Sequence, residues 1–267
     1  MIYICIRRTL DWSDEATFDA QLDPAFRPKV DVWNETFSIP YHLFRHRLKA
    51  IAQSNLHRVD GAIIADFAKV PPGELIVPVD DDDWFAPDLV LRLRRAYSPA
   101  ARGYLWRRDV LELPDLCRRD APPPTVFRRL RPKLRTGLGW LRARVFGVPA
   151  DPLIWADPVI CKTNNYAFRN MPEALQLHRN IFTASRYFTT HASEIQCIDA
   201  TLGVQNRNLA SQTALGWTRP VFERDELIAS FWRYRRLYRS WRVPTEIRWA
   251  RPYIEQMAEL MDELDLK

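Results

Sequence analysis

Short apolar runs alternate with longer amphipathic stretches along this chain, an order typical of α/β proteins. Met1–Ile6, Ala62–Ala65 and Leu75–Val79 are apolar and short enough to be buried strands. Tyr41–Asn55 and Asp88–Tyr97 carry apolar residues at helical spacing. The pattern predicts a three-layer sandwich with a largely parallel central sheet, built as one domain over residues 1–267.

Further segments extend this pattern. Gly103–Trp106 is strand-like, and the stretch 157–169 reads as a strand that runs into a polar turn. Residues 10–40 are rich in Asp, Pro and aromatic residues and are predicted to be irregular. In the helix predicted over 41–55, three basic residues are assigned to the solvated face: Arg45, Arg47 and Lys49.

Four consecutive aspartates, Asp80–Asp83, follow the strand at Leu75–Val79. Pro87 stands where a helix would begin, so the aspartates are expected in a tight turn at the carboxyl end of a strand, where open α/β sheets bind ligands. Adjacent carboxylates repel one another, and a hard divalent cation removes that conflict. The alternative is a solvated acidic turn beside a helix N-terminus, although a helix cap needs only one Asp.

Two other acidic-loop families fit this stretch poorly. An EF-hand loop that starts at Asp80 needs Gly at its sixth position and Glu at its twelfth, where this chain has Phe85 and Leu91. A haloacid-dehalogenase-like phosphatase usually has Thr or Val two residues after its Asp-x-Asp, where this chain has Trp84.

The better match is to nucleotide-sugar glycosyltransferases of the GT-A type, in particular those of family 2. The sequence Val79-Asp80-Asp81-Asp82-Asp83-Trp84-Phe85-Ala86-Pro87-Asp88-Leu89 resembles their Leu-Asp-x-Asp-Asp-x-x-x-Pro-x-Leu signature, with Val in place of the first Leu. The resemblance covers about a dozen residues. It implies a Rossmann-like GT-A fold and a divalent metal, Mn²⁺ or Mg²⁺, that bridges the diphosphate of a sugar donor.

The resemblance also implies roles for single residues. Asp82 corresponds best to a metal ligand, Asp80 to a ligand of the ribose or the metal, and Asp83 to a residue near the donor sugar. The end of the first strand and an early strand-end Asp approach the nucleotide in this family. The expected donor-binding residues are Arg7, Arg8, Thr9, Asp66, Asp81, Asp83 and Asn165.

A second stretch resembles the same family. The sequence Asn164-Asn165-Tyr166-Ala167-Phe168-Arg169 is similar to a segment ending in Ala-Phe-Arg that lines the donor sugar and the acceptor, although the preceding Gly of the family is missing. An acidic residue lies about 25–30 residues further on in inverting members, which implies Glu194 or Asp199 as the catalytic base. His191 is a candidate metal ligand or general base, and the alternative is a structural histidine.

Composition narrows the function classes. The hydrophobic content of 47% is ample for a core, and the 8 Gly include no Gly-x-Gly-x-x-Gly or Walker pattern, which argues against Rossmann dehydrogenases and P-loop enzymes. Arginine supplies nearly all of the 39 basic residues, and the pI near 9.3 favours anionic partners. The four cysteines are scattered, as expected for buried thiols in a reducing compartment.

Two basic and aromatic segments stand apart from the rest of the chain. Residues 116–150 form a Pro- and Arg-rich insertion, in which Phe127–Phe146 suits an anionic membrane surface or packs its apolar side on the core. Residues 225–267 form a helical C-terminal tail in which Arg and aromatic residues interleave. No nucleic-acid-binding motif accompanies them, so nucleic acid is not expected as a partner.

These observations favour a metal-dependent glycosyltransferase that moves a sugar from a nucleoside diphosphate to a hydroxyl of a glycan or a lipid-linked acceptor. No leader or membrane-spanning run is apparent, so the expected location is the cytoplasm or the inner face of a membrane. The alternatives are another Mg²⁺-dependent nucleotide or phosphate-transfer enzyme and a non-catalytic peripheral-membrane protein.

Overall fold

The computed structural model describes residues 1–6, 14–111, 164–174, 181–210 and 223–267. Within these ranges seven strands form one sheet in the order β2-β1-β3-β6-β5-β7-β4. The strands are β1 (Ile2–Ile6), β2 (Ala62–Ile64), β3 (Leu75–Val79), β4 (Trp84–Phe85), β5 (Gly103–Leu111), β6 (Tyr166–Arg169) and β7 (Ile195–Asn206). The predicted α/β class is confirmed.

Strand directions bring five carboxyl ends to one edge of the sheet. β1 pairs in parallel with β2 and β3, and β5 pairs in parallel with β7. β6 is antiparallel to its neighbours β3 and β5, and β4 is antiparallel to β7. The sheet is therefore mixed. Because β6 reverses direction between β3 and β5, the strands that run the same way are β1, β2, β3, β5 and β7.

Helices cover both faces of this sheet. Their bounds are α1 (Glu15–Gln21), α2 (Arg27–Thr36), α3 (Tyr41–Leu56), α4 (Leu89–Arg95), α5 (Ile181–Thr190), α6 (Arg224–Ser240) and α7 (Arg251–Asp262). Alternation along β3 sends Val77 to the face that packs against Leu56 of α3 and Val90 of α4. Ile76 points to the other face and packs with Phe188 of α5.

An aromatic core joins the first three helices to the last two. Trp33 lies between the rings of Phe37 and Phe44, at centroid distances of 4.7 and 5.0 Å. Phe231 of α6 contacts Phe37 at 5.4 Å, and Tyr253 of α7 stacks on Trp84. Such rings bury large apolar areas, so this core fixes α6 and α7 against the sheet edge that carries β4.

Residues 10–40 differ from the prediction, since their described part, from residue 14 onwards, contains two helices. Asp14 caps α1 by accepting a hydrogen bond from the N–H of Thr17, and Asp23 caps a 3-10 turn that leads into α2. Asp and Pro therefore act here at helix starts rather than in irregular loops. The predicted insertion at 116–150 lies outside the described residues. None of the described helices has the length and apolar character needed to cross a bilayer.

Candidate functional site

The aspartate turn, Asp80–Asp83, connects β3 to β4 at the carboxyl edge of the sheet. The N–H of Asp83 donates to the main-chain oxygen of Asp80 over 3.3 Å and closes the turn. Ile6, the last residue of β1, pairs with Val79, so β1 ends beside the turn. β6 begins and β7 ends at the same edge. The sheet thus gathers residues from distant parts of the chain around four carboxylates.

Asp83 links the turn to two other segments. Its Oδ1 accepts a 2.8 Å hydrogen bond from the N–H of Asn206, and its Oδ2 accepts one of 2.8 Å from Nδ2 of Asn164. Burial raises the pKa of Asp83 well above its usual range, and Asp82 and Asp80 add to the increase. Both oxygens of Asp83 therefore accept hydrogen bonds from other segments of the chain, and these bonds stabilise the arrangement of the site. Its predicted place near a donor sugar stays a prediction.

Arg45 reaches the turn from α3, although the sequence pattern assigned it to the solvated face. Its Nη1 lies 3.5 Å from Asp82 Oδ2, and its Nη2 lies 3.9 Å from Asp81 Oδ1. Arg45 is four residues after Tyr41 and three before Leu48, and both of these are buried, so helical spacing puts Arg45 on the buried face. The two neighbouring carboxylates make burial of this guanidinium tolerable.

Both contacts given for the Asp82 carboxylate within the described ranges involve the same oxygen. Its contacts with Arg45 and with Nδ2 of Asn208, the latter at 3.3 Å, both involve Oδ2. Oδ1 accepts no hydrogen bond from the described residues, and the side chain keeps 17% of its surface exposed. The pKa of Asp82 is raised to about 6, mainly by burial; the charges of Asp81 and Asp80 add to the increase, and Arg45 and Asn208 oppose it. Asp80 is half-buried next to it.

Buried asparagines line the turn, and the sequence analysis missed most of them. Asn208 holds its own position by accepting from the N–H of Ala210 at 2.9 Å, and it donates to the main-chain oxygen of Asn206 at 3.2 Å. Tyr238 of α6 donates to Oδ1 of Asn206 at 2.9 Å. Two sequence features could have indicated these residues. Asn206 and Asn208 stand two positions apart just after the apolar stretch 202–204, and Asn164 and Asn165 are adjacent.

A glycine allows one of these asparagines to reach Asp83. A Cβ added to Gly203 of β7 would overlap the main-chain oxygen of Asn164. That oxygen accepts a 3.0 Å hydrogen bond from Nε1 of Trp106 on β5. β5, β7 and the segment before β6 therefore pack closely enough to position the side chain of Asn164 against the turn.

Glu194 and His191 lie at the other end of the sheet. Glu194 immediately precedes β7, whereas Asn206, which contacts Asp83, ends it. The 12 residues of β7 bulge and pair with the nine residues of β5, a length of roughly 25–30 Å, so the structure does not bring either residue to the aspartate turn. Glu194 instead accepts a 2.6 Å hydrogen bond from Nε of Arg102, which lowers the pKa of this carboxyl. His191 Nδ1 lies 3.3 Å from the same carboxylate.

The other predicted residues are divided among several places. Asp199 is exposed in the middle of β7, where it pairs with Arg107 at 3.1 Å. Asp66 follows β2 at the same edge as the turn, two strands away, and accepts from the N–H of Ala68.

Asn165 is buried next to Asn164 and contacts the main-chain oxygen of Trp106 at 3.4 Å. The predicted nucleotide-binding residues Arg7, Arg8 and Thr9 lie outside the described residues.

The residues of the turn fit a hard divalent cation. Asp82 offers Oδ1, and Asp80 offers a second, half-buried carboxylate two residues away. No group of three or more His, Cys, Asp and Glu side chains forms a preassembled metal centre in the described part of the chain. A cation bound by one or two carboxylates completes its coordination with water and substrate phosphate, which is how Mg²⁺ is usually held.

Comparison of the chain with protein-family models, curated proteins and solved structures gives no match. A functional assignment therefore depends on the chemistry of the aspartate turn. That turn combines a partly exposed carboxylate side chain, a second carboxylate two residues away and a buried frame, at the edge where open α/β sheets bind ligands.

Proposed function

We propose that this protein is a metal-dependent glycosyltransferase of the GT-A type, which moves a sugar from a nucleoside-diphosphate donor to an acceptor hydroxyl of a glycan or glycolipid. The observation that carries the proposal is Oδ1 of Asp82 at the carboxyl edge of the sheet, which accepts no hydrogen bond from the part of the chain that the structure describes. It supports the metal-binding role that the resemblance around Asp80–Asp83 implies.

In this proposal Asp80 and Asp82 hold Mn²⁺ or Mg²⁺. The cation supplies charge that offsets the leaving diphosphate as the glycosidic bond breaks. Arg45 and Asn208 orient Asp82 through its Oδ2, which would leave Oδ1 as the oxygen that binds the cation. Asp83 fixes the turn to Asn206 and Asn164, so the ligand oxygens are positioned before the donor binds.

Neither of the two predicted catalytic bases lies beside the turn. Glu194 is separated from the turn by the length of β7, and Asp199 lies beside Arg107 in the bulge of the same strand, on the order of 15 Å from Asn206 along it. Donor and metal binding are therefore placed at the turn in this proposal, and the role of Asp199 as a base stays a prediction.

A thermal-shift screen tests the proposal. Nucleoside diphosphates and nucleotide-sugars are added with and without Mn²⁺, since a ligand that binds only the folded state raises the melting temperature. We expect at least one nucleoside diphosphate to raise it by on the order of 5 °C, and only with the metal. Asp82→Asn should remove this shift, whereas Asp88→Asn, in the same motif but on an exposed helix start, should retain it.

The outcomes also separate the alternatives. Release of the diphosphate from a nucleotide-sugar supports glycosyl transfer, whereas hydrolysis confined to simple phosphoesters favours another phosphate-transfer enzyme. An equal shift with Asp82→Asn, or no metal-dependent shift with any nucleotide, would overturn the proposal and favour a non-catalytic protein.

A further inference from the structure

The outward face of α6 carries a compact basic and aromatic surface. The helix buries four large side chains against the core: Leu227, Phe231, Tyr234 and Tyr238. Helical periodicity puts Trp232, Arg233, Arg236 and Arg239 on the opposite face, and all four are exposed. We call these four side chains the α6 patch.

The α6 patch has a net positive charge. Arg239 pairs with Asp262 of α7 at 2.6 Å, and that carboxylate also accepts from Arg235 at 2.9 Å. Arg233 and Arg236 form no ion pair with any residue in the described ranges. Their guanidinium groups are therefore available to an anionic partner.

Trp232 adds an apolar component to these charges. Its side chain is 47% exposed, which is unusual for the largest aromatic residue. An indole ring beside arginines on the outer face of a helix matches the composition of helices that lie in the plane of a membrane interface.

We propose that the α6 patch binds the surface of an anionic lipid bilayer. Trp232 enters the interface, while Arg233 and Arg236 contact lipid phosphates, and the attraction comes from both the buried apolar area and the negative surface potential. This inference does not depend on the proposed function, because it uses none of the residues of the aspartate turn.

The geometry of Trp232 favours a bilayer over nucleic acid. Proteins that bind single strands stack bases on exposed aromatic faces. The guanidinium of Arg235 lies over the Trp232 ring, 5.4 Å from its centroid, and Phe231 contacts the same ring at 4.8 Å. One face of the indole is thus covered, which hinders stacking but leaves the exposed part of the ring for a lipid interface.

The position of the patch relative to the turn suits a surface-bound protein. Tyr238, on the buried face of α6, reaches Asn206 at the edge of the candidate site. A bilayer on the outer face would lie about one helix diameter, roughly 10 Å, from that contact. Membrane attachment therefore leaves the aspartate turn on the protein side of α6.

Co-sedimentation of the full chain with phosphatidylglycerol vesicles tests the inference. Arg233→Ser combined with Arg236→Ser should weaken binding roughly 10- to 30-fold, as expected for the loss of two interfacial arginines. Arg94→Ser combined with Arg95→Ser is the matched control, because it removes the same charge from exposed residues of α4. Trp232→Ser should also weaken binding, including at salt concentrations that screen the arginines.

The salt and lipid dependence of vesicle binding shows whether the α6 patch binds an anionic bilayer. Binding that declines with salt and is weak on neutral phosphatidylcholine vesicles supports the inference, provided that circular dichroism shows folded variants. Absence of vesicle binding at low salt, or equal binding by the patch variant and the control, would overturn it. Tighter binding of a single-stranded oligonucleotide that the patch variant loses would assign the surface to nucleic acid instead.

Discussion

The main-chain N–H of Asn206 donates a 2.8 Å hydrogen bond to Oδ1 of Asp83, joining the end of β7 to the turn after β3 across 123 positions of sequence. Asn164 donates to the other oxygen of the same carboxylate. One buried side chain therefore connects three segments of the sheet edge. Asp83 and Asp82 therefore differ in role. Asp83 uses both carboxylate oxygens to stabilise the site, whereas the given contacts of Asp82 with the described residues use Oδ2 alone.

Asp83→Asn should lower the free energy of unfolding by roughly 1–3 kcal/mol, because the new amide presents N–H groups to one of two donors and leaves that donor unsatisfied. Urea denaturation measures the change. Asp88→Asn, which removes an exposed pair with Arg92, should change the same quantity by less than about 1 kcal/mol. Equal stability of wild type and Asp83→Asn would contradict the supporting role.

The stability of the metal-free protein should respond to Asp82 in a pH-dependent way. Its pKa is raised from 3.8 to about 6 on folding, so the ionised form is disfavoured in the folded state. The resulting decrease in the free energy of unfolding is absent below pH 4, grows as the pH rises between 4 and 6, and is complete above pH 6. Asp82→Asn should therefore stabilise the protein by about 1–3 kcal/mol at pH 7.

That gain should disappear near pH 3.5, where wild-type Asp82 is protonated in both states. Denaturation curves in the presence of a chelator at the two pH values provide the measurement. A variant that is less stable than wild type at pH 7, or equally stabilised at both pH values, would show that burial of this charge is not the dominant effect.

Arg45→Gln should destabilise the protein by roughly 3–5 kcal/mol, because it leaves the buried carboxylates of Asp81 and Asp82 without their guanidinium partner. Mn²⁺ should restore part of the loss if the turn binds cations. Arg47→Gln is the matched control, since Arg47 lies on the same helix and pairs with the exposed Glu263. No difference between the two variants would contradict the arrangement around the turn.

Glu194→Gln should leave metal-dependent nucleotide binding and sugar transfer nearly unchanged. The sequence resemblance implied a catalytic base at this position, but the carboxylate is bound to Arg102 at the opposite end of β7 from the turn. Turnover of a nucleotide-sugar by wild type and variant is the comparison to make. A loss of the ~10²–10⁴-fold that removal of a general base usually causes would restore Glu194 to the site.

Local periodicity predicted much of the fold because it depends on near neighbours. β3 was predicted with its observed bounds, and α3 ends one residue later than expected, since each has a continuous apolar pattern. The 12-residue β7 was missed, because it is bulged and largely half-buried and so lacks a clear alternation. α1 and α2 were missed because their capping Asp and Pro residues were taken as signs of a loop.

The candidate site was predictable only where it is contiguous. Four adjacent aspartates after an apolar strand predicted a turn at the carboxyl edge of the sheet, and the family resemblance selected Asp80 and Asp82 within it as candidate metal ligands. Arg45, Asn208 and Tyr238 come together through packing between elements distant in the sequence, which no spacing rule reveals. Glu194 was predicted as a base from its separation from Arg169 along the chain. In the structure β7 lies between Glu194 and the aspartate turn, so the two are far apart.

Electron paramagnetic resonance of Mn²⁺, titrated into the protein with a saturating nucleoside diphosphate, is the sharpest test of a cation site at the aspartate turn. Free Mn²⁺ gives a six-line signal that weakens on binding, and a protein-free titration with the same nucleoside diphosphate gives the loss that the nucleotide causes alone. Beyond that loss, we expect about one bound ion per chain for wild type and for Asp88→Asn, with affinity falling below pH 6 as protons compete for Asp82. Binding by Asp82→Asn equal to wild type, or no binding by wild type, would contradict a cation site at the aspartate turn.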